Sequence, residues 1–156
     1  MITRFLVLGL LICNFTFAKE IKKENLQKWQ AELINSAIQA QEKTYSPYSH
    51  YPVGAAIITD EGKVFLGTNI ENASYGLTIC AERSAVFNAV TSGEKNIQAI
   101  AIVTKNGGLP CGACRQVLNE FNPEMIVLIS DTNKTIIKEY KLSELLLDGF
   151  GPKNLD

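Results

Sequence analysis

The sequence predicts an α/β fold, a three-layer α/β/α sandwich with helices on both faces of one mixed five-stranded sheet. Two observations carry this. Segments with helical periodicity alternate with short apolar runs rich in β-branched residues. Each run is bounded by Gly, Pro, Asn or Asp, the residues that punctuate a chain into elements. The 156 residues suffice for one domain with one core, and an apolar content of 46% is that of an ordinary globular chain.

The elements follow in order. Residues 24–43 read as an amphipathic helix, with Leu26, Trp29, Leu33, Ala37 and Ala40 at three- and four-residue steps and Ile34 and Ile38 widening the stripe. Residues 45–52 form a loop of Tyr, Ser and Pro. Residues 53–59 and 64–70 read as a hairpin across the turn Asp60-Glu61-Gly62-Lys63. Residues 80–90 form a helix whose Ala81, Ala85 and Ala89 permit close packing on a sheet, and Gly93 ends it as a C-cap. Residues 97–104 are a buried strand, followed by a Gly-rich loop and Pro110. Residues 111–121 form a third helix, with Val117, Leu118 and Phe121 inward. Residues 125–129 and 135–140 are strands around the turn Asp131-Thr132-Asn133-Lys134. Ser143 is expected to cap a last short helix running to Leu147, with Glu144 in its first turn.

Chemistry concentrates in two stretches, Cys80-Ala81-Glu82 and Pro110-Cys111-Gly112-Ala113-Cys114. A ligand two residues before Glu, followed later by Pro-Cys-x-x-Cys, is the signature of zinc deaminases of nucleobases. Cys111 and Cys114, at i and i+3 on a first helical turn, share one face. Cys80, from a second helix start, completes a three-thiolate set that leaves the fourth tetrahedral position to water. Glu82 then faces the open side as a general acid–base rather than a ligand. Three thiolates place an excess of negative charge on a divalent ion. Two helix N-termini offset part of it, and Arg83 is the candidate cation that tunes the rest. Asn69-Ile70-Glu71-Asn72, at a strand end, suits either a turn or the binding of sugar hydroxyls.

Charge narrows the partner. Net charge is −1, the sequence pI is about 5.9, and the longest basic run is Lys22-Lys23. The basic footprint of a nucleic-acid binder is missing, so a small uncharged substrate is expected and nucleic acid is not. At the N-terminus, Arg4 precedes fourteen mostly apolar residues, 5–18. That is shorter than the roughly 20 a membrane span needs and suits the apolar region of a secretory signal. The expected organisation is a signal peptide over 1–18, cleaved after Ala18, and one zinc domain over 19–156, without stable membrane association once the leader is removed. Loss of Cys13 with the leader leaves three cysteines, an odd number that favours one metal site over a disulfide framework.

Five segments in order give the chain from about Leu26 to Pro152 a specific resemblance: Ser46-Pro47-Tyr48-Ser49, Pro52-Val53-Gly54-Ala55-Ala56, Asn69-Ile70-Glu71-Asn72-Ala73, Cys80-Ala81-Glu82-Arg83 and Pro110-Cys111-Gly112-Ala113-Cys114-Arg115-Gln116. Together they resemble the small, homotetrameric class of cytidine deaminases. The resemblance implies one Zn²⁺ per chain, hydrolysis of cytidine and deoxycytidine to uridine and deoxyuridine with release of ammonia, and a homotetramer. It implies that Asn69 and Glu71 bind the ribose 3′-hydroxyl side, that Tyr51 stands for an aromatic (usually Phe) against the base, and that Ala81 lies at the substrate. Phe150 resembles a C-terminal aromatic that reaches a neighbouring subunit's pocket. Leu147 departs from the family, which often has proline there. So does the leader: the family is usually cytosolic, whereas a signal peptide implies export, and the two readings of location stand side by side. Three other readings of the cysteines stay open on the residues alone: an editing enzyme acting on RNA or DNA, a non-enzymatic zinc module with a fourth protein ligand, and a thiol redox pair of Cys111 and Cys114.

Overall fold

The computed structural model describes residues 18–155. The expected leader over 1–18 therefore lies, apart from Ala18, outside the described residues, and Cys13 with it. The elements in chain order are β1 (Lys19–Glu20), α1 (Lys28–Gln41), β2 (Gly54–Thr59), β3 (Val64–Thr68), α2 (Ala81–Thr91), β4 (Ile97–Thr104), α3 (Gly112–Phe121), β5 (Ile126–Asp131), β6 (Ile137–Lys141) and α4 (Leu142–Leu145). The three-layer α/β/α arrangement is as expected.

The sheet has six strands rather than five, in the order β1-β6-β5-β4-β2-β3. Its neighbours are antiparallel except β4 and β5, which run parallel with α3 as the crossover between them. The extra strand is the polar pair Lys19–Glu20, which pairs with Glu139 and Lys138 of β6. No alternation marks such a pair in a sequence. It forms because β6 presents unpaired backbone groups along the sheet edge. The Ile21 amide continues the pairing by donating to the Ile137 carbonyl (3.0 Å).

Side-chain alternation along β4 divides the core. Ile100 and Ile102 face one side, with Ala55, Ile57, Val127 and Ile129, under α2 and α3. Ala99, Ala101 and Val103 face the other, with Ala56 and Leu128, under Leu33, Ile34 and Ala37 of α1. Each fully buried Ile or Leu contributes roughly 1.5–3 kcal/mol. The helices lie very close to the sheet at two glycines. A Cβ on Gly54 would stand 2.0 Å from the Ala37 carbonyl oxygen, and one on Gly67 2.2 Å from the Ala81 carbonyl oxygen and the Ala85 nitrogen. Gly67 thus sets how deep the first turn of α2 can sit.

Several boundaries differ from expectation. Residues 23–25 form a separate 3₁₀ turn, and α1 starts at Lys28, where the Gln30 side chain accepts from the Gln27 amide (3.0 Å). Ser143 is not a cap: β6 runs directly into α4, Lys141 takes the cap position, and Glu144 accepts from the Lys141 amide (2.7 Å). Gly93 ends α2 with φ of +92°, a conformation that favours glycine. Among the described residues, no helix is long and apolar enough to cross a membrane.

Candidate metal centre and active site

Cys80 and Cys111 are the N-cap residues of α2 and α3, and Cys114 lies in the first turn of α3. Both helices start beside the same end of the sheet, so the three sulfurs meet, all within 4.8 Å of one another. Cys111 Sγ and Cys114 Sγ are 3.5 Å apart. Thiolates around a tetrahedral zinc, at about 2.3 Å each, stand roughly 3.8 Å from one another. The triangle therefore fits one such ion, held by soft donors on three sides. Cys114 is buried, Cys80 half-buried and Cys111 exposed, which leaves a side open for a further ligand.

The charges around the triangle are arranged to hold anions. Arg83 Nη2 lies 3.6 Å from Cys80 Sγ and 3.5 Å from the Thr78 carbonyl oxygen. Its Nε is buried with no hydrogen-bond partner in the protein. Hydrogen bonding from Cys114, against the cost of burial and with help from Arg83, brings the Cys80 thiol down to about 5. The same crowding pushes Cys114 up, through its hydrogen bond to Cys80, burial and the nearby Glu82 charge. Like charges at contact oppose one another's ionisation, which sets the two sulfurs apart. Glu82, on the first turn of α2, is 5% exposed. Burial is the main cause that pushes its carboxyl up, with the Cys80 charge adding to it; its own backbone amide, Cys114 and Arg83 oppose.

Cys80, Cys111 and Glu82 open onto a cavity of about 400 Å³, walled also by Tyr51, Asn69 and Thr104. Its lining is mostly apolar, with few polar groups, the usual make-up of a small-molecule site.

The family model described as "Cytidine and deoxycytidylate deaminase zinc-binding region" matches residues 27–130, a span that takes in Cys80, Cys111, Cys114, Glu82 and the Asn69–Glu71 segment. The chain belongs to this family. A cytidine deaminase from Halalkalibacterium halodurans is 47% identical over 126 residues, covering 80% of this chain and 96% of the relative. One from Sporosarcina psychrophila is 42% identical over 127 residues, covering 80% and 93%. Among solved structures, cytidine deaminase from Burkholderia pseudomallei superposes with a TM-score of 0.74 at 45% identity, covering 77% of this chain and 98% of that one. The Mycobacterium tuberculosis enzyme gives 0.68 at 40% identity, covering 81% and 99%.

Within this deaminase fold, the other expected site residues divide into two groups. Tyr51 and Asn69 wall the cavity with Glu82. Asn69 is buried, and its side chain braces the loop before β2: Nδ2 donates to the Tyr51 carbonyl (2.9 Å), and Oδ1 accepts from the Val53 amide (2.9 Å) and from the Thr44 hydroxyl. Glu71 is not among the cavity residues. Its carboxylate accepts from the amides of Tyr48 (2.8 Å) and Ser49 (3.2 Å), and the Ser49 hydroxyl is the main cause that lowers its pKa. Ala81 is buried under the helix, in contact with the sheet core. Phe150 stands 58% exposed, and only its backbone carbonyl is held, by Gln116 (2.8 Å) and Asn119 (3.1 Å). The cavity wall also takes in Ser49, Val53 and Ile102, and Thr78, Ile79, Thr104, Gly108 and Leu109, for which composition gave no signal. Their one legible trait was position, just before each metal-bearing helix.

Proposed function

We propose that the protein is a cytidine deaminase, converting cytidine and deoxycytidine with water to uridine and deoxyuridine plus ammonia. The observation that carries this is the placement of a buried carboxylate, Glu82, beside three converging thiols on a cavity that Tyr51 and Asn69 also wall. Cys80, Cys111 and Cys114 hold the zinc, and Glu82 is left free of the ligand set. Zinc bound there supplies Lewis-acid activation of water. Glu82 takes a proton from the water as its oxygen bonds to C4 of the pyrimidine, and passes that proton to N3. It then moves the remaining hydroxyl proton to the exocyclic amine. The C4–N bond breaks, ammonia leaves, and C4 becomes a carbonyl. Arg83 stays beside Cys80 and offsets the charge of the thiolates. Asn69 and Glu71 shape the sugar side: both fix the backbone of residues 48–53, and Asn69 also faces the cavity. Tyr51 lies against the base.

A homotetramer is part of this reading. It is supported by apolar side chains left in solvent in one copy: Tyr75 at 74%, Leu77 at 72%, Leu147 at 75% and Phe150 at 58% exposure. Assembly brings Phe150 to a neighbour's cavity, while Ala81, between Cys80 and Glu82 at the start of α2, meets the substrate through its backbone. The apolar run over 5–18 supports a signal peptide ahead of the zinc domain, 19–156, and the mature N-terminus checks it directly.

The deciding experiment follows uridine formation from cytidine by the purified protein, with zinc measured in the same sample. Turnover with about one zinc per chain, abolished by a chelator, is the expected result. Firmly bound zinc without turnover would refute it and favour a structural zinc module.

A further inference from the structure

The cavity has a rim that the catalytic residues do not account for. Tyr51, on the loop before β2, donates its phenolic proton to Asn106 Oδ1 (2.5 Å). Asn106 Oδ1 also accepts from the Thr104 hydroxyl (3.3 Å), and Thr104 Oγ1 in turn accepts from the Gly108 amide (2.7 Å). Lys105 Nζ lies 5.4 Å from the centroid of the Tyr51 ring, within cation–π range. On its other side, Tyr51 is tied through its carbonyl to Asn69. A continuous run of hydrogen bonds thus passes from Asn69 through Tyr51 and Asn106 to Gly108, and Tyr51, Asn69, Thr104 and Gly108 all wall the cavity.

The loop that this run reaches, 105–110, leads into the metal-bearing helix. It is held independently at its far end, where Arg115 Nε donates to the Pro110 carbonyl (2.9 Å) and Arg115 Nη1 to the Leu145 carbonyl (2.9 Å). Cys111 is therefore fixed by Arg115, and the loop ahead of it by Tyr51. Gly108 is matched to the same contact: a Cβ there would stand 2.8 Å from the Tyr51 hydroxyl.

We infer that the Tyr51 hydroxyl and Asn106 are positioning groups for substrate binding, a clamp that holds the 105–110 loop as one wall of the cavity without touching the reacting atoms, while the Tyr51 ring meets the base. This rests on the deaminase reading above. Walls of this kind contact the bound pyrimidine nucleoside equally before and during reaction, so losing the clamp raises KM and leaves kcat unchanged.

The test uses the zinc-loaded full chain with cytidine as substrate and two independent readouts, steady-state kinetics and hydrogen exchange at the Gly108 amide. Y51F keeps the ring and removes the donor, N106L removes the acceptor, and N106D restores an acceptor. Y51F and N106L are expected each to raise KM about five-fold, the factor one net hydrogen bond carries. Both should speed Gly108 exchange and leave kcat and zinc content unchanged. N106D should stay near the starting KM, and the double variant Y51F/N106L should be no worse than either single one. Unchanged Gly108 exchange in Y51F would overturn the clamp, whatever the enzyme turns over. Faster exchange with unchanged KM, or a fall in kcat or zinc, would overturn its role in substrate binding. A starting protein that turns over no cytidine refutes the deaminase reading, while the exchange result still decides the clamp.

Discussion

Gly67→Ala tests how the fold sets the chemistry. Gly67 lies in β3 directly beneath the first turn of α2, and a Cβ there would stand 2.2 Å from the Ala81 carbonyl oxygen and the Ala85 nitrogen. Ordinary contact begins at 3.4 Å, so the helix would have to withdraw by about 1.2 Å. Both atoms are backbone and cannot rotate away. Overpacking of this kind costs about 1–3 kcal/mol. At roughly 2–4 °C per kcal/mol for a domain of this size, the melting temperature should fall by about 2–12 °C. Glu82 rides on the same turn, and a displacement near 1 Å at a reacting group costs about 10²-fold in rate. Thermal unfolding and cytidine turnover are measured on one preparation, with Gly76→Ala as control, since nothing lies within 4 Å of a Cβ at that position. A folded Gly67→Ala protein with unchanged melting temperature and turnover would refute the idea that this close approach sets the depth of Glu82.

Three further predictions concern individual groups. Glu82→Ala is expected to keep its zinc and fold while losing at least about 10² in kcat, the low end for a general acid–base group; activity within a few-fold of the starting enzyme would remove Glu82 from the mechanism. Cys114→Ala should release zinc and lower the melting temperature, because the buried sulfur serves metal and core together; full zinc by elemental analysis would disprove the ligand set. Asp131 concerns acid stability: burial opposes its ionisation, but the Ile136 amide (2.6 Å) and the Thr135 hydroxyl (2.8 Å) outweigh it and hold the carboxyl below its ordinary 3.8. A lowered folded value gives stability that is present above about pH 4 and lost as pH falls through that value. Asp131→Asn should therefore cost about 1 kcal/mol near neutrality and flatten the acid limb of a pH–stability curve; an unchanged acid limb would count against the assignment.

What could be read in the sequence was what repeats or clusters. The runs 99–103 of β4 and 126–129 of β5 are continuously apolar because helices cover both faces, so they stand out without a structure. The cysteines and Glu82 were legible because metal chemistry demands fixed spacings within a turn of helix. What escaped depends on partners distant in the chain. Lys19–Glu20 becomes a strand only because β6 offers an open edge. Ser143 looked like a cap, yet its amide donates to the Pro123 carbonyl (2.8 Å) from inside the helix. The Tyr51–Asn106 contact joins residues 55 apart, and nothing near either one announces the other. Asn69 and Glu71 were legible as polar groups at a strand end, but the backbone amides that occupy them were not.

Helix α3 is a single rod with two tasks at different heights. Its start carries Cys111 and Cys114, and one to two turns later Gln116 and Asn119 hold the Phe150 carbonyl. Whatever stiffens the first turn also steadies the platform on which the C-terminal tail rests. Any coupling between the two events through this rod would be reciprocal. A neighbour that gripped the tail would then raise the affinity of the thiols for an ion by the same factor by which the ion strengthened the grip. Loss of metal and loosening of an assembly would be one equilibrium observed from opposite ends of a ten-residue helix.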